Sequence, residues 1–573
     1  MTIRVRIGAA LLAPSSRRPG NIPPGTRKRE AIITAEQHPQ SFEDGILPDA
    51  PVDHIDLSHV QRLADAMRTG ALDAAEDITR AHWFDLALSL RHGVADALEQ
   101  VPTSRLRDRP LLLMLLGMAY NVIPHRRARG MRCFVTAIFA VRASRQNVRK
   151  SDRVLVLTSQ SAAFRLIGRP SLGVRPARAA LSVLERMDVG ELDEVSTRSD
   201  IYAHLGISLY YGGRRAEALH AFRRGLAESP SVGYASGFAN VSMLCGIHAL
   251  DGGLKEAAGY AAIAREDRWT DVQRSWYPGT FYRVGEALLA LERFDAAAAS
   301  AHLDAMVHDR RTIEHWRAIA STEAIAALVA GRPGAGLAGL TAFTALRGHE
   351  SRHAEGEDRM RAVHSLLHLA TGNLDAAARA LHPARGSTSA EIRVAAARIA
   401  LTRGRAGEAM QDARVAADRA SRPRPAVEAA AIEAACTLQI PGSRRRRAVV
   451  EHLAEQLIST GLRLPVALLP PDDYQRLRTA LAESGYTALR DELPERSLLE
   501  FGAAEPLLTS RELAVLRTMG SNASIPAIAE QLNLSVNTVK THRRNIYRKL
   551  GAEDRDTAIA IALDRGLIAA GRD

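Results

Sequence analysis

Cysteine, lysine and aromatic residues are scarce in this chain, and each scarcity excludes something. The three cysteines (Cys133, Cys245, Cys436) share no C-x-x-C spacing and are too few for a disulfide framework, which rules out a secreted disulfide scaffold and fits a reducing compartment. Only 5 of the 76 basic residues are lysine (Lys28, Lys150, Lys255, Lys540, Lys549), and none follows a glycine. A phosphate loop needs a Gly-Lys step, so no ATP-driven switch is expected in this sequence. No apolar run approaches the ~18 residues that cross a bilayer; near the N-terminus the longest, Ile7 to Ala13, has seven. A soluble, cytoplasmic protein without a membrane partner is expected. Aromatics make up 5% of the chain, and no stretch shows the two-residue alternation of a strand, so an α/β receiver-type domain is not expected either.

What is present is length, alanine and arginine. At 573 residues the chain exceeds one hydrophobic core and points to several units or an extended repeat array. The formal net charge is +12, but it is not spread evenly. Residues 1–30 carry seven basic groups and one acid, Arg444 to Arg447 form a run of four, and Val536 to Leu550 holds five cations and no acid. The remainder is slightly acidic, so opposite charge is sought locally and not by the whole surface.

Residues 1–45 combine Pro14, Pro19, Pro23 and Pro24 with arginines and no helical period, and are expected to be a disordered basic extension. From 46 to 440 the pattern is helical in period, with turn signals at Gly213, Gly253, Glu292, Gly331, Gly372 and Gly404. Within it Tyr202, Leu205, Gly206, Gly213, Ala218, Phe222, Leu226 and Pro230 fall at the spacings of a tetratricopeptide repeat, and the region resembles a solenoid of such hairpins, slightly longer than the usual 34 residues. Such an array offers a concave surface to a small-molecule or protein effector that the sequence does not name; a spacer without a ligand is the alternative. Residues 441–505, with the arginine run and Pro465, Pro470 and Pro471, read as a helical tether.

The last 68 residues, 506–573, are punctuated as four short helices. Thr509 and Glu512 have the spacing of a capping box, Ser524 and Pro526 open a second helix, Ser535 caps a third, and Gly551 ends it. On the third helix Val536, Val539, Ile546 and Leu550 share an apolar face, and Asn537, Lys540, Thr541, Arg544 and Arg548 share a polar one. A short helix behind a tight turn with a cationic outer face is what reading a DNA major groove requires.

The motifs Leu508-Thr509-x-Arg511-Glu512-Leu513, Ile528-Ala529, Leu534-Ser535, Thr538 to Gly551 and Gly566-Leu567 resemble the LuxR-type helix-turn-helix domain. The resemblance implies an all-α fold, a tetratricopeptide-like helical-hairpin solenoid followed by a small four-helix DNA-binding domain. It implies that Lys540, Thr541 and Arg544 face bases, and that Ser535, Asn537, Thr538 and His542 lie near phosphates. Arg548, on the outer face, joins the expected DNA contacts. The fourth helix commonly pairs two copies in that family, which puts Ile559, Ala562 and Leu563 at a homodimer contact. The body and this domain together resemble the C-terminal part of large ATP-binding LuxR-type regulators. No cofactor and no enzymatic activity are expected; a transcription regulator binding double-stranded DNA is, with a protein-binding scaffold as the rival.

Two motifs point elsewhere. His349-Glu350-Ser351-Arg352-His353 has the H-E-x-x-H spacing of a zinc hydrolase, but its flanks are polar and Arg359 stands where a third histidine would be. Gly334-Ala335-Gly336-Leu337-Ala338-Gly339 has the spacing of a dinucleotide loop, but no strand precedes it, so an interhelical turn is expected there.

Overall fold

The computed structural model describes residues 57–564 except 122, 144–147, 167, 189, 192–197, 230–236, 307–312, 348–355, 383–388, 500–507 and 521–523. The basic extension, His349 to His353 and Pro230 therefore lie outside the described residues. Every regular element among the described residues is helical.

Among the described residues, the helix pair Pro110–Asn121 and Arg127–Ala143 is followed by seven antiparallel hairpins over 150–184, 198–227, 238–264, 280–304, 316–347, 357–381 and 390–419, and helices Pro423–Leu438 and Arg446–Thr460 continue the stack. The first helix of each hairpin packs on its partner and on the first helix of the next, forming an inner row. A hairpin of this length cannot hide its apolar face alone, and its neighbours complete the burial. Small residues set the spacing: a Cβ on Gly206 would stand 2.5 Å from the Phe222 ring, and one on Gly285 would stand 2.5 Å from Cys245 Sγ. All three cysteines are buried thiols.

The turns are built alike. At the end of the first helix one residue adopts a left-handed conformation and donates its N–H three residues back, while the next donates five residues back. Gly213 and Arg214 do this to Tyr210 and Leu209, Gly331 and Arg332 to Leu328 and Ala327, and Gly404 and Arg405 to Leu401 and Ala400. Two expected turn positions shift slightly. Gly252 (φ 90°) takes the left-handed place instead of Gly253, and Phe294 (φ 60°) takes it two residues beyond Glu292. The Gly334 to Gly339 motif is not an interhelical turn: it lies inside helix Pro333–Arg347, where Gly336 lets the helix approach the Ala324 carbonyl. A dinucleotide loop has no place in that helix.

Residues 446–499 differ from the expected tether. Val450, Leu453, Leu457, Val466, Tyr474 and Leu477 are buried in one cluster with Val394, Val427 and Ile432 of the hairpin stack. Glu292, 4% exposed, fastens the segment from the other side. It accepts from Arg463 N–H at 2.7 Å, Leu464 N–H at 3.0 Å and Arg424 Nη1 at 2.6 Å. The prolines of the expected helical tether open helices Leu464–Ala467 and Pro471–Glu483, where a missing N–H costs nothing. Of the arginine run, Arg447 is exposed and pairs with Glu451 one turn on, as a solvated helix start does.

A buried polar network crosses the stack near its start. Arg165, 1% exposed at its side chain, lies 2.8 Å from Glu314 Oε1, and its Nη1 donates to the His204 carbonyl (3.1 Å) and to Ser208 Oγ (2.9 Å). Tyr277 Oη donates to the same Glu314 oxygen at 2.7 Å. Burial pushes the Glu314 carboxyl up, but Arg165 and its other partners outweigh it and hold the group well below the usual carboxylate range. Burial beside Arg165 lowers the His204 imidazole to about 3, so that ring stays neutral. Replacing Glu314 by Gln strips the counter-charge from a buried guanidinium. The expected cost is about 3–5 kcal/mol, read as a lower denaturant midpoint in circular dichroism of the full chain, whereas Glu451→Gln at the exposed pair should leave the midpoint unchanged.

Candidate nucleic-acid interface

Residues 508–564 form helices Ser510–Gly520, Ile525–Gln531, Val536–Leu550 and Arg555–Asp564 around a core of their own, made by Val515, Leu516, Met519, Ile528, Val539, Ile546, Leu550 and Ala558. The expected caps are present. Thr509 Oγ1 accepts from Glu512 N–H at 3.2 Å while Glu512 Oε2 accepts from Thr509 N–H at 2.7 Å. Ser524 Oγ accepts from Ala527 N–H at 3.4 Å, and Ser535 Oγ from Thr538 N–H at 3.0 Å.

Between the second and third helices the chain reverses on Asn533, left-handed at φ 51°. Asn533 N–H donates to the Glu530 carbonyl and Leu534 N–H to that of Ala529, the same pair of bonds that turns the body's hairpins. Arg511 Nη2 donates to the Leu532 carbonyl at 2.9 Å and braces the turn from the first helix.

The third helix divides its cations. Lys549 Nζ lies 2.7 Å from Glu512 Oε2, whose side chain is only 4% exposed. Burial raises the Glu512 carboxyl, but Lys549 and the Thr509 donors outweigh it, so the group sits below its ordinary value and the pair is ionised. Arg543 lies over the Tyr547 ring, 5.9 Å from its centroid. Lys540, Arg544 and Arg548 remain on the outer side, exposed with Asn537 and Thr541. Arg548 Nη2 donates to Asn545 Oδ1 at 3.3 Å, and Thr541 Oγ1 donates back to the Asn537 carbonyl at 3.0 Å. Ser535 is exposed and its hydroxyl shares a 2.7 Å bond with that of Thr538; Thr538 and His542 are half-buried. Asn537, Lys540, Thr541, Arg544 and Arg548 thus share the exposed face of the helix, Ser535 caps its start, and Thr538 and His542 are half-buried.

Two expected positions are placed differently. Val536, expected in the core with Val539, is 40% exposed. It is the first helical residue, and a Cβ there leans toward the helix start, past the edge of the core; its place right after the Ser535 cap was the available signal. On the last helix Ala562 is fully buried in the domain's own core, so its side chain is not available to a second copy. Ile559 is half-buried, and the Leu563 side chain lies outside the described residues.

A family described as bacterial regulatory proteins of the luxR family matches residues 506–562. A probable transcriptional regulatory protein NarL of Mycobacterium tuberculosis (strain ATCC 25618 / H37Rv) is 36% identical over 96 residues, 17% of this chain and 43% of that protein. The nitrate/nitrite response regulator protein NarP of Escherichia coli (strain K12) is 42% identical over 76 residues, 13% of this chain and 34% of its own length. An uncharacterized transcriptional regulatory protein YxjL of Bacillus subtilis (strain 168) is 43% identical over 65 residues, 11% of this chain and 29% of that protein. The chain spans less than half the length of these relatives. Its C-terminal domain is a LuxR-type helix-turn-helix domain, and no described helix is long and apolar enough to cross a membrane.

The left-handed turn supports a sharp expectation. Asn533→Ala should weaken the domain by about 1–2 kcal/mol, because a Cβ without a polar head disfavours that backbone region, and Asn533→Gly should hold it at or near the parent value. Amide hydrogen exchange over 528–550 in the full chain reads both; equal effects of the two substitutions would contradict a backbone origin.

Proposed function

We propose that this chain is a sequence-specific DNA-binding regulator of transcription. Helix Val536–Leu550 enters the major groove, and the helical body receives a ligand or protein partner. The observation that carries the reading is the division of cations on that helix. Lys549 is spent on Glu512 inside the domain, while Lys540, Arg544 and Arg548 stand outward beside Asn537 and Thr541.

In this reading Ser535, Asn537, Thr538 and His542 approach phosphates and set the register, and Lys540, Thr541 and Arg544 discriminate base edges. Arg548 extends the phosphate contact along the helix. Val536, exposed at the helix start, adds an apolar surface of the kind that meets a thymine methyl. Two copies on two half-sites pair through the last helix, using Ile559 and Leu563 without Ala562. The function is positioning without chemistry, in a cytoplasmic protein that needs no cofactor.

Binding of genomic fragments should weaken steeply with salt, at a slope of about −0.9 per phosphate neutralised. A slope near zero would remove the reading and favour a protein-binding scaffold. Lys540→Ala should relax or abolish site preference at a cost of about 1–3 kcal/mol, measured as the ratio of specific to non-specific affinity in footprint titrations. An unchanged ratio takes Lys540 out of the base-reading set.

A further inference from the structure

Six consecutive inner helices, from Phe238–Asp251 to Pro423–Leu438, together with the short helix Leu464–Ala467, line a partly open cavity of about 90 Å³. That is several times the ~10–15 Å³ one water needs. Leucines and other aliphatic side chains, among them Leu250, Leu288, Ile325 and Leu366, give it an apolar wall. Four guanidiniums (Arg359, Arg398, Arg422, Arg424) and three carboxylates (Asp251, Glu391, Glu428) line the rest. Counting the charges just behind the wall, Arg215 on Asp251 and Glu292 on Arg424, leaves the excess of one positive charge unchanged.

Most of these groups are matched at close range. Arg422 lies 2.8 Å from Glu391 and 3.3 Å from Asp251, and Arg424 lies 2.6 Å from Glu292. Arg359 lies 3.5 Å from Asp251, and Arg398 is the least closely matched of the four. Its side chain is 4% exposed, its Nε donates to the Leu468 carbonyl at 3.1 Å, and its ion pair with Glu428 is stretched to 3.9 Å. Burial raises the Glu428 carboxyl above its ordinary value. A second, independent group lines the same space: Ser321 is 3% exposed, and its hydroxyl has no hydrogen-bond partner among the described residues. Buried polar groups left this way mark a place where something else supplies the partner.

We infer that this cavity is the effector site of the body and takes a small aliphatic monocarboxylate, its carboxylate between Arg398 and the Ser321 hydroxyl and its short chain against the leucine wall. The inference rests on the regulator reading for its biological sense. A carboxylate suits a guanidinium because two parallel N–H donors match its two oxygens. One negative charge balances the excess; a phosphate dianion overshoots it and meets three carboxylates. The site also abuts the chain's exit toward the DNA-reading domain. Arg398 holds the Leu468 carbonyl, and the neighbouring carbonyls of Ala467 and Leu469 accept from Leu498 N–H (2.8 Å) and Ser497 Oγ (2.5 Å).

Titration calorimetry of the full chain tests this with butyrate, isovalerate and hexanoate as probes, and with 1-butanol and inorganic phosphate as controls. One carboxylate site per chain is expected, with 1-butanol and phosphate weaker by at least about tenfold. Arg398→Met should abolish carboxylate binding, and Ser321→Ala, which removes an unpartnered hydroxyl and should leave the melting curve intact, should weaken it by about fivefold. If Arg398→Met fails to fold, Ser321→Ala decides. Equal binding of butyrate and 1-butanol, no effect of Ser321→Ala, or no heat from any carboxylate at about 10 mM, which would saturate even a ~1 mM site, overturns the proposal. Footprint titrations on the same samples keep the two readings apart: lost carboxylate binding with DNA binding intact sinks the site alone, and the converse sinks the regulator alone.

Discussion

A left-handed residue just past a helix end, with two backbone N–H groups folded back onto the last turn, is the constraint on which the rest of this structure depends. It closes the first helix, satisfies two carbonyls that would otherwise be orphaned, and sends the chain back antiparallel within a few residues. Because each hairpin uses the same turn, the hairpins stack in a constant register and their first helices form one continuous row. The C-terminal domain uses the device once more, at Asn533, to set the angle between its second and third helices. Where glycine is replaced, by Phe294 in the body and Asn533 in the domain, the backbone is unchanged. The bond pattern is therefore what defines the turn, and glycine is its lowest-cost occupant.

The abundance of arginine over lysine follows from how the stack is fastened. Guanidiniums reach across the repeats and bond carbonyls as well as carboxylates: Arg165 to the His204 carbonyl, Arg424 to those of Ala249 and Leu250, Arg398 to that of Leu468. A planar fork with five donors can satisfy several acceptors in a dry interior, and an ammonium is strongly hydrated and harder to bury. The C-terminal end of the body is drawn in by these bonds. Glu292 and Asp251, on hairpins early in the row, hold Arg424, Arg463 and Arg422 from more than a hundred residues further on. Residues 446–499 are part of the body for this reason, and the short helix Leu464–Ala467 forms a wall of the body's cavity.

In the C-terminal domain the charges are sorted by burial. The apolar stripe of Val539, Ile546 and Leu550 turns the helix, and the Glu512–Lys549 pair locks that turn by joining the capping box of the first helix to the end of the third. The capping carboxylate thus has two tasks, and both depend on its being ionised. With Lys549 held and Arg543 over the Tyr547 ring, Lys540, Arg544 and Arg548 face outward.

Much of this was legible in the amino-acid sequence by itself. The all-helical class, six of the body's turns to within two residues, and the caps and outer cations of the C-terminal domain are local properties, written in periodicity, capping residues and glycine within a few positions of where they act. The tertiary structure alone decided what depends on distant partners. It buried Ala562, exposed Val536, and placed Gly334 to Gly339 inside a helix. It also folded the apparent tether into the body and brought Arg398 and Ser321 to one cavity. The physical reason is range: a helix and its cap are set by bonds spanning three to five residues, whereas a buried charge or a cavity wall is set by whichever side chains the stacking brings together, and no local pattern encodes them.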